Sequence, residues 1–416
     1  MYRSRVLDGV LAARLRSAGA VLLEGPKASG KTRTAQQHTA SQVYLDTDDA
    51  ARSALAVDPA LVLDGAAPQL VDEWQLDATR VWNHIRSEVN RRGAPGQFVL
   101  TGSAVPDDDV ARHTGAGRFA RLTLRPMSLL ESGASTGEMS LAALLRGDRP
   151  TARDPGTRVP DIAEAVVRGG WPLHLGLDVD DAATSAADYL RTVAEVDIPR
   201  LEGARRDPAR TSRFLQALAR NTSMELNVSR LAADVDGGEG LLARTTAYDY
   251  LSALRRLMVL DELPPWVTHL RSRARLRTAA RIHLSDPSLS AAALGAGTGR
   301  LLSDVRCLGL LFESLVVRDT RVYAEPLDAG VHHYRDSDGL EVDLVVQARD
   351  GTWGAFEVKL GTGQVDEAAA QLLTFAAKVD TERTGRPAVL AVITGTGYGY
   401  TRPDGVVVVP VGAFGP

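Results

Sequence analysis

Cysteine is almost absent from this chain of 416 residues. The single one, Cys307, excludes an internal disulfide, so we expect a reducing, cytoplasmic environment and a thiol packed in the core. Long apolar runs are also missing, which argues against a bilayer-spanning helix. Near the N-terminus, Arg14 and Arg16 interrupt the apolar positions, unlike a secretory signal. We therefore expect neither a secreted nor a membrane protein.

Lysine is scarce as well. The net charge is −4, so nucleic-acid binding would depend on local basic patches. Of the 48 basic side chains only four are lysines, namely Lys27, Lys31, Lys359 and Lys378. A drift toward arginine should spare lysine only where a compact ammonium is needed. Because Lys31 and Lys359 both lie in motif-like strings, they indicate two separate sites of phosphate chemistry.

The remaining composition is typical of a globular protein, with 44% hydrophobic and 24% charged residues. Apolar strands alternate with helical patterns over residues 1–133, which predicts an α/β fold with a parallel sheet. A helical connecting region is expected over 134–204. Three short helices and a wing, the element order of a winged helix, are expected over 205–267. Mixed strands and helices fill 268–416.

A phosphate-binding loop is predicted at GPKASGKT, which matches the pattern G-x-x-x-x-G-K-[ST] between the strand AVLLEG and a helical stretch. Lys31 would bridge the terminal phosphates of ATP, and the Thr32 hydroxyl would bind Mg²⁺. The alternative is a chance glycine loop. The residues expected to contact the nucleotide are Gly25, Pro26, Lys27, Ala28, Ser29, Gly30, Lys31, Thr32 and Arg33.

Two adjacent acids follow the next buried strand, in LVDEW. Asp72 would hold Mg²⁺ through water, and Glu73 would polarise the attacking water. Solvated turn residues are the alternative. The strand FVLTGS ends at Ser103, whose hydroxyl could contact the terminal phosphate.

An arginine finger is a further possibility in GRFARLTLRP, which contains Arg118, Arg121 and Arg125. We take Arg118 as the candidate that would reach a neighbouring subunit's nucleotide, which implies a homo-oligomer. The alternative is a solvated surface arginine.

Five strings, in the order GPKASGKT, LVDEW, LTGS, GRFARLTLRPMSLLE and RGGWP, resemble a group of bacterial and archaeal AAA-type ATP-binding proteins. In that group the ATPase domain precedes a region called domain of unknown function 4143. The resemblance implies an AAA-like ATPase core, a winged helix and a C-terminal restriction-endonuclease-like domain of the PD-(D/E)XK kind. Ala28 departs from the glutamine that the group would place there, at a position that contributes backbone amides.

The second lysine lies in WGAFEVKLG, a predicted strand that pairs with GLEVDLVVQ. Glu357 and Lys359 are two residues apart and share one face of the strand. Asp343 on the neighbouring strand can face them. Asp343 and Glu357 would then hold Mg²⁺ while Lys359 activates a water, as in a metal nuclease. The alternative is a surface salt bridge without chemistry.

Other residues near this predicted site are weaker candidates. Glu313, on an upstream helix, is where the fold's additional acidic metal ligand would lie, and Gln371 follows on the next helix. His332 and His333 could be ligands, but we expect them to be exposed strand residues.

Arginines flank the predicted winged helix and could neutralise nucleic-acid phosphates. Pairing with nearby acids is the alternative. The arginines concerned are Arg205, Arg206, Arg210, Arg213, Arg271, Arg273, Arg275, Arg277 and Arg281.

Two functions follow from these patterns. The first is a Mg²⁺-dependent ATPase whose nucleotide state, ATP or ADP, controls a nucleic-acid-binding C-terminal half that could also be nucleolytic. The second is a nucleotide-switched regulator or scaffold that binds a protein partner through a catalytically silent nuclease-like domain. The set Asp343, Glu357 and Lys359 favours the first, and the acidic net charge favours the second.

Overall fold

The computed structural model of the protein describes residues 2–103, 115–202, 207–235, 242–267 and 279–416. The chain divides into two compact units. The first comprises Met1–Pro126 with Arg256–Val259, and the second comprises Met127–Arg255 with Leu260–Pro416. Within the described ranges, no helix combines the length and the apolar character needed to cross a membrane.

The first unit contains a parallel sheet of five strands in the order β2-β3-β4-β1-β5. The predicted strands in AVLLEG, LVDEW and FVLTGS are present as β1, β3 and β4, whereas β5 was not predicted. The strands are β1 (Ala20–Glu24), β2 (Ser41–Tyr44), β3 (Gln69–Asp72), β4 (Phe98–Thr101) and β5 (Phe119–Thr123). The helices are α1 (Leu7–Leu15), α2 (Lys31–Gln36), α3 (Asp49–Val57), α4 (Ala60–Leu63) and α5 (Ala78–Arg92), with a 3₁₀ turn at Trp74–Asp77.

Both faces of the central strands β1, β3 and β4 are buried, which explains why these strands are largely apolar without polar alternation. Successive strand residues point to opposite faces. Ala20 and Leu22 of β1 accordingly pack into one apolar cluster, whereas Val21 and Leu23 pack into another. All strands are parallel, so the residues that follow β1, β3 and β4 meet at one edge of the sheet.

The second unit contains both helices and strands. Its described helices are α6 (Leu129–Ser132), α7 (Leu141–Leu145), α8 (Val159–Arg168), α9 (Val179–Thr192), α10 (Ile198–Glu202), α11 (Pro208–Arg220), α12 (Val228–Asp234), α13 (Arg244–Arg256), α14 (Pro287–Ala293), α15 (Thr298–Ser303), α16 (Val305–Ala324), α17 (Val365–Lys378) and α18 (Thr381–Thr384). A π-helical turn at Val193–Asp197 joins α9 to α10.

The described strands of this unit form three sheets. The largest has six strands in the order β13-β14-β12-β11-β10-β9, in which β11, β12 and β14 are parallel and the other pairs antiparallel. Strands β7 and β8 form an antiparallel hairpin, and β15 pairs with β6. The strands are β6 (Met139–Ser140), β7 (Leu260–Leu263), β8 (Arg281–Leu284), β9 (Gly330–Arg335), β10 (Glu341–Gln347), β11 (Trp353–Lys359), β12 (Val389–Thr394), β13 (Tyr400–Thr401), β14 (Val407–Pro410) and β15 (Phe414–Gly415).

A buried ion-pair network connects distant parts of the second unit. Arg318 on α16 contacts Asp286 at 2.8 Å and Asp319 at 2.7 Å, and all three side chains are almost completely buried. The Asp286 carboxylate accepts the Gly170 backbone N–H, and the Asp319 carboxylate accepts the Leu129 N–H. The network therefore holds the start of the unit and the RGGWP turn against α16.

The second glycine of RGGWP is required by close packing. The Met127 N–H donates to the Gly170 carbonyl at 2.6 Å. A Cβ atom on Gly170 would lie 2.1 Å from the Met127 carbonyl oxygen and 3.0 Å from Arg318 Nη1. Since both neighbours are held in place, the backbone segments approach this closely only with glycine.

We predict that Gly170→Ala destabilises the second unit by about 1–3 kcal/mol, because overpacking forces the backbone apart. Gly309→Ala on α16 is the matched control, since an added Cβ there meets nothing within 4 Å and alanine favours a helix. Chemical denaturation followed by circular dichroism measures both variants. Equal stability of the two variants would contradict the close contact.

Candidate functional site

The predicted phosphate loop connects β1 to α2, and its backbone requires special residues. Gly25 lies against the Leu124 carbonyl oxygen, 2.2 Å from where a Cβ would be. Ala28 and Gly30 have φ angles of 62° and 99° and so adopt left-handed conformations, which are unfavourable for alanine. Ala28 replaces the glutamine that the resemblance led us to expect. Its backbone nevertheless adopts a left-handed conformation within the loop.

Lys31 is 6% exposed, and its ammonium lies inside the loop. Its Nζ donates to the carbonyl oxygens of Gly25 at 2.9 Å and Pro26 at 2.8 Å. Burial lowers the pKa of Lys31 to about 8, although the nearby carboxylates of Glu73 and Asp72 oppose the shift. The lysine is thus surrounded by acceptors, at the position predicted for the terminal phosphates.

Arg5 holds the phosphate loop by hydrogen bonds, and the sequence motifs did not predict this role. Its buried guanidinium donates to the Ser29 carbonyl at 2.9 Å and to the Arg125 carbonyl at 2.6 Å. Nothing in the motif indicates this contact, because Arg5 lies before the first strand.

The two predicted magnesium ligands are brought together. The Thr32 hydroxyl donates to both oxygens of the Asp72 carboxylate at 3.0 and 3.1 Å, and Thr101 donates to the same carboxylate. Burial raises the pKa of Asp72, while the two hydroxyl donors act in the opposite direction. A hydroxyl and a carboxylate at one point are the oxygen donors that Mg²⁺ prefers, so these residues fit the ion.

Glu73 follows Asp72 with a φ of 52°, a left-handed conformation that turns its side chain away from the strand direction. The Ser103 hydroxyl donates to its carboxylate at 3.1 and 3.2 Å, and the Gln75 amide also donates to it. Ser103 therefore contacts the candidate base, whereas the sequence predicted a contact with phosphate. Gln75 was not predicted at all.

The candidate arginine finger lies on the surface of the first unit. Arg118 Nε donates to Asn90 Oδ1 at 2.6 Å, and Arg121 forms an ion pair with Glu24 at 2.8 Å. The role of Arg118, and the homo-oligomer it implies, remain predictions.

In the second unit the predicted acidic residues converge. Asp343 on β10 accepts the Val358 N–H at 3.0 Å, which places it beside β11. Glu357 is 1% exposed and contacts Lys359 Nζ at 2.8 Å. Burial, and then the charge of Asp343, raise the pKa of Glu357. Glu313 on α16 has its pKa raised by the same two causes.

Arg281 occupies the centre of this acidic group. Its guanidinium contacts Glu313 at 3.0 Å, Asp343 at 3.2 Å and Glu341 at 2.7 Å. Burial opposes its charge, but the three carboxylates raise its pKa above the ordinary value. The expectation that Arg281 neutralises nucleic-acid phosphates at the surface is wrong, because the side chain is buried among acids.

A divalent metal does not fit the acidic group as it is arranged. In the described ranges, no set of three or more histidine, cysteine or acidic side chains is positioned to hold a metal ion. The reason is visible in the hydrogen bonds, since the carboxylate oxygens of Asp343 and Glu357 are directed at Arg281, Lys359 and a backbone N–H.

The weaker candidates have structural positions. His333 is fully buried and bonds the Ala279 carbonyl at 3.1 Å, so the expectation of an exposed strand residue is wrong for it, while His332 is half-buried. Burial lowers the pKa of His333 to about 4. Gln371 donates to the Glu341 carbonyl at 2.6 Å. Cys307 is half-buried rather than packed in the core.

The remaining arginines predicted to meet phosphates are of two kinds. Arg210 and Arg213 are half-buried on α11. The others lie outside the described residues, namely Arg205, Arg206, Arg271, Arg273, Arg275 and Arg277.

Similar proteins cover most of the chain. Uncharacterized proteins of Mycobacterium bovis (Mb2031c) and Mycobacterium tuberculosis (Rv2008c) are each 26% identical to it over 355 residues, which is 84% of this chain and 73% of the relative.

Two solved structures are similar at a lower level. The Walker-type ATPase PABY2304 of Pyrococcus abyssi is 14% identical with a TM-score of 0.40, covering 69% of this chain and 94% of its own. Drosophila ORC bound to DNA is 15% identical with a TM-score of 0.21, covering 69% and 84%. At these scores neither structure supports a structural argument.

Three family models match successive parts of the chain. An AAA domain matches residues 17–132, which include the parallel sheet and its phosphate loop. Domain of unknown function 8612 matches residues 159–300, and domain of unknown function 4143 matches residues 308–414. The match to the AAA domain supports ATP binding. The chain therefore carries an N-terminal AAA domain and a C-terminal domain of unknown function 4143, as its ordered motifs predicted.

Proposed function

We propose that the protein is a Mg²⁺-dependent ATPase. The observation that carries the proposal is the convergence of Lys31, Thr32, Asp72 and Glu73 at one edge of the parallel sheet. Phosphates in the loop would compete with the carbonyl oxygens of Gly25 and Pro26 for the Lys31 ammonium. The loop then supplies backbone N–H groups, and α2 supplies its positive N-terminal end.

The chain's own groups have separate roles in this proposal. Thr32 and Asp72 would hold Mg²⁺, which neutralises the charge on the phosphates when it is bound. Glu73 would accept a proton from the attacking water. Ser103 and Gln75, which both donate to the Glu73 carboxylate, would fix its direction. Arg5 would keep the loop rigid by binding the Ser29 carbonyl.

Glu73→Gln should retain ATP binding but hydrolyse ATP about 10²–10⁴-fold more slowly, because the amide cannot accept the proton. Lys31→Ala should lose both binding and hydrolysis. Phosphate release and nucleotide binding are measured for each variant. Glu88→Gln is the control, since Glu88 on α5 pairs with Arg91 and Arg92 and should leave turnover unchanged. Wild-type turnover no faster than that of Lys31→Ala would contradict the proposal.

The lowered pKa of Lys31 predicts a pH dependence of nucleotide binding. Bound phosphates favour the charged ammonium, so the pKa of Lys31 is higher in the complex than its value of about 8 in the free protein. Affinity should therefore be full below about pH 8 and decrease as the pH rises above it, with proton uptake on binding.

Calorimetry with ADP in two buffers of different ionisation enthalpy, from about pH 7 to about pH 9.5, measures this proton uptake. Any binding that Lys31→Arg retains should be independent of pH over that range, because guanidinium does not titrate there. Equal affinity of the wild type throughout the range would contradict a phosphate-binding Lys31 whose pKa is lowered in the free protein.

We also propose that the second unit binds nucleic acid through α12 and α13. The supporting observation is the element order: α11, α12 and α13 precede the β7–β8 hairpin, as in a winged helix. Arg230 on α12 and Arg244 on α13 are both exposed and could contact backbone phosphates. Nuclease activity is left out of the proposal, because a metal does not fit the acidic group.

Replacing both Arg230 and Arg244 with alanine should weaken binding to DNA and RNA probes and reduce the slope of log K against log salt by about 2, since two phosphate contacts are lost. Fluorescence anisotropy with and without ATP measures affinity and its coupling to the nucleotide. Arg349→Ala, at an exposed arginine after β10, is the control. If the double variant and this control bind alike, α12 and α13 do not form the interface.

A further inference from the structure

We propose that Arg281 is the built-in cation of the acidic group formed by Glu313, Glu341, Asp343 and Glu357, where it takes the place of a divalent metal ion. The C-terminal sheet then holds its carboxylates together without metal. This inference is independent of the ATPase proposal, because none of these residues belongs to the phosphate loop.

The geometry resembles that of a bridging cation. A single guanidinium nitrogen, Nη1, donates to Glu313 Oε1 at 3.0 Å and to Asp343 Oδ1 at 3.2 Å. The second nitrogen, Nη2, donates to Glu341 at 2.7 Å. Three carboxylates from α16 and β10 thus converge on one side chain that is 5% exposed.

The other donor atoms of the group are also engaged. Asp343 uses its second oxygen, Oδ2, to accept the Val358 N–H at 3.0 Å. Glu357 Oε2 accepts from Lys359 at 2.8 Å, and its Oε1 lies 3.4 Å from the Gln371 amide. A metal ion would have to break several of these bonds at once.

Displacing the guanidinium would also leave a buried charge without a partner. An unpaired charge is unfavourable in a protein interior, and the carboxylate partners of Arg281 are what stabilise its buried guanidinium. Lys359 adds a second positive charge beside Glu357, and Arg335 contacts Glu341 at 3.3 Å. Protein cations therefore already supply the positive charge that a metal would bring.

Arg281 comes from outside the six-stranded sheet. It is the first residue of β8, where it pairs with Leu263 of β7, and its backbone also forms a bridge with Glu225. The ion pairs of Arg281 with Glu341 and Asp343 therefore attach the β7–β8 hairpin to the six-stranded sheet. The cation is fixed by its strand rather than by a flexible loop.

Lack of access is not what excludes a metal. A cavity of about 370 Å³ reaches Arg281 and is also lined by Arg230, Arg335, Glu225 and Glu341. An ion entering it would meet the positive charges of Arg230, Arg335 and Arg281. The exclusion is electrostatic, and removing the positive charge should reverse it.

The test counts bound Mn²⁺ by electron paramagnetic resonance on the full chain without nucleotide. We expect the wild type and Asp343→Asn to bind the same amount, because the acidic group holds no metal. Arg281→Met should gain about one equivalent of Mn²⁺ per chain, since hard carboxylate oxygens become available. Adding Asp343→Asn to Arg281→Met should remove that gain.

Two results would overturn the inference. One is a Mn²⁺ ion in the wild type that Asp343→Asn removes, which would show a metal site coexisting with Arg281. The other is a folded Arg281→Met that gains no Mn²⁺. The comparison of wild type with Asp343→Asn needs no change at Arg281, so it can still overturn the inference even if Arg281→Met fails to fold.

Arg281→Lys is the matched variant, because it keeps a positive charge at the same position. Its Mn²⁺ count should equal that of the wild type, and Mn²⁺ should not raise its melting temperature. Mn²⁺ should raise the melting temperature of Arg281→Met, since binding to the folded state stabilises it. Equal Mn²⁺ counts in the lysine and methionine variants would show that charge at this position does not exclude the metal.

Discussion

A charged side chain is buried only where partner groups replace water, and this constraint governs three places in the protein. Lys31 lies among the loop carbonyls of the AAA domain. In the second unit, Arg281 lies among three carboxylates, and Arg318 lies between Asp286 and Asp319. At each place partner groups surround the cation, so each of the three regions is built around a buried positive charge.

The Arg318 network shows how much structure one such group can hold. Removing one partner of a buried pair costs about 3–5 kcal/mol, because the other charge remains without compensation. Here the two carboxylates also accept the backbone N–H groups of Gly170 and Leu129. The network thus fixes the segment that follows the AAA domain, and it explains why a side chain at Gly170 cannot be accommodated.

The scarce lysines have different environments. Lys31 is enclosed by its loop, in agreement with a nucleotide site. Lys359 neutralises Glu357 in the acidic group, beside Arg281. Lys378 pairs with Asp336 on the surface, where an ion pair adds little stability. Scarcity of lysine therefore indicated two lysines that lie among acceptor groups, but it did not distinguish a phosphate ligand from a partner in a closed ion-pair group.

By itself the sequence predicted the phosphate loop, because residues 25–32 are contiguous. It also predicted Asp72 beside this loop, because that acid ends a buried strand of a parallel sheet. The strands of that parallel sheet were predicted from their apolar patterns. The pairing of β10 with β11 was predicted from a short turn between two apolar strands. Only the tertiary structure decided that Arg281, 62 residues before Asp343, enters the acidic group. The tertiary structure also brought the Ser103 hydroxyl into contact with the Glu73 carboxylate. Such contacts join residues far apart in the chain, and no local pattern of hydrophobicity or charge records which distant partner a buried side chain will meet.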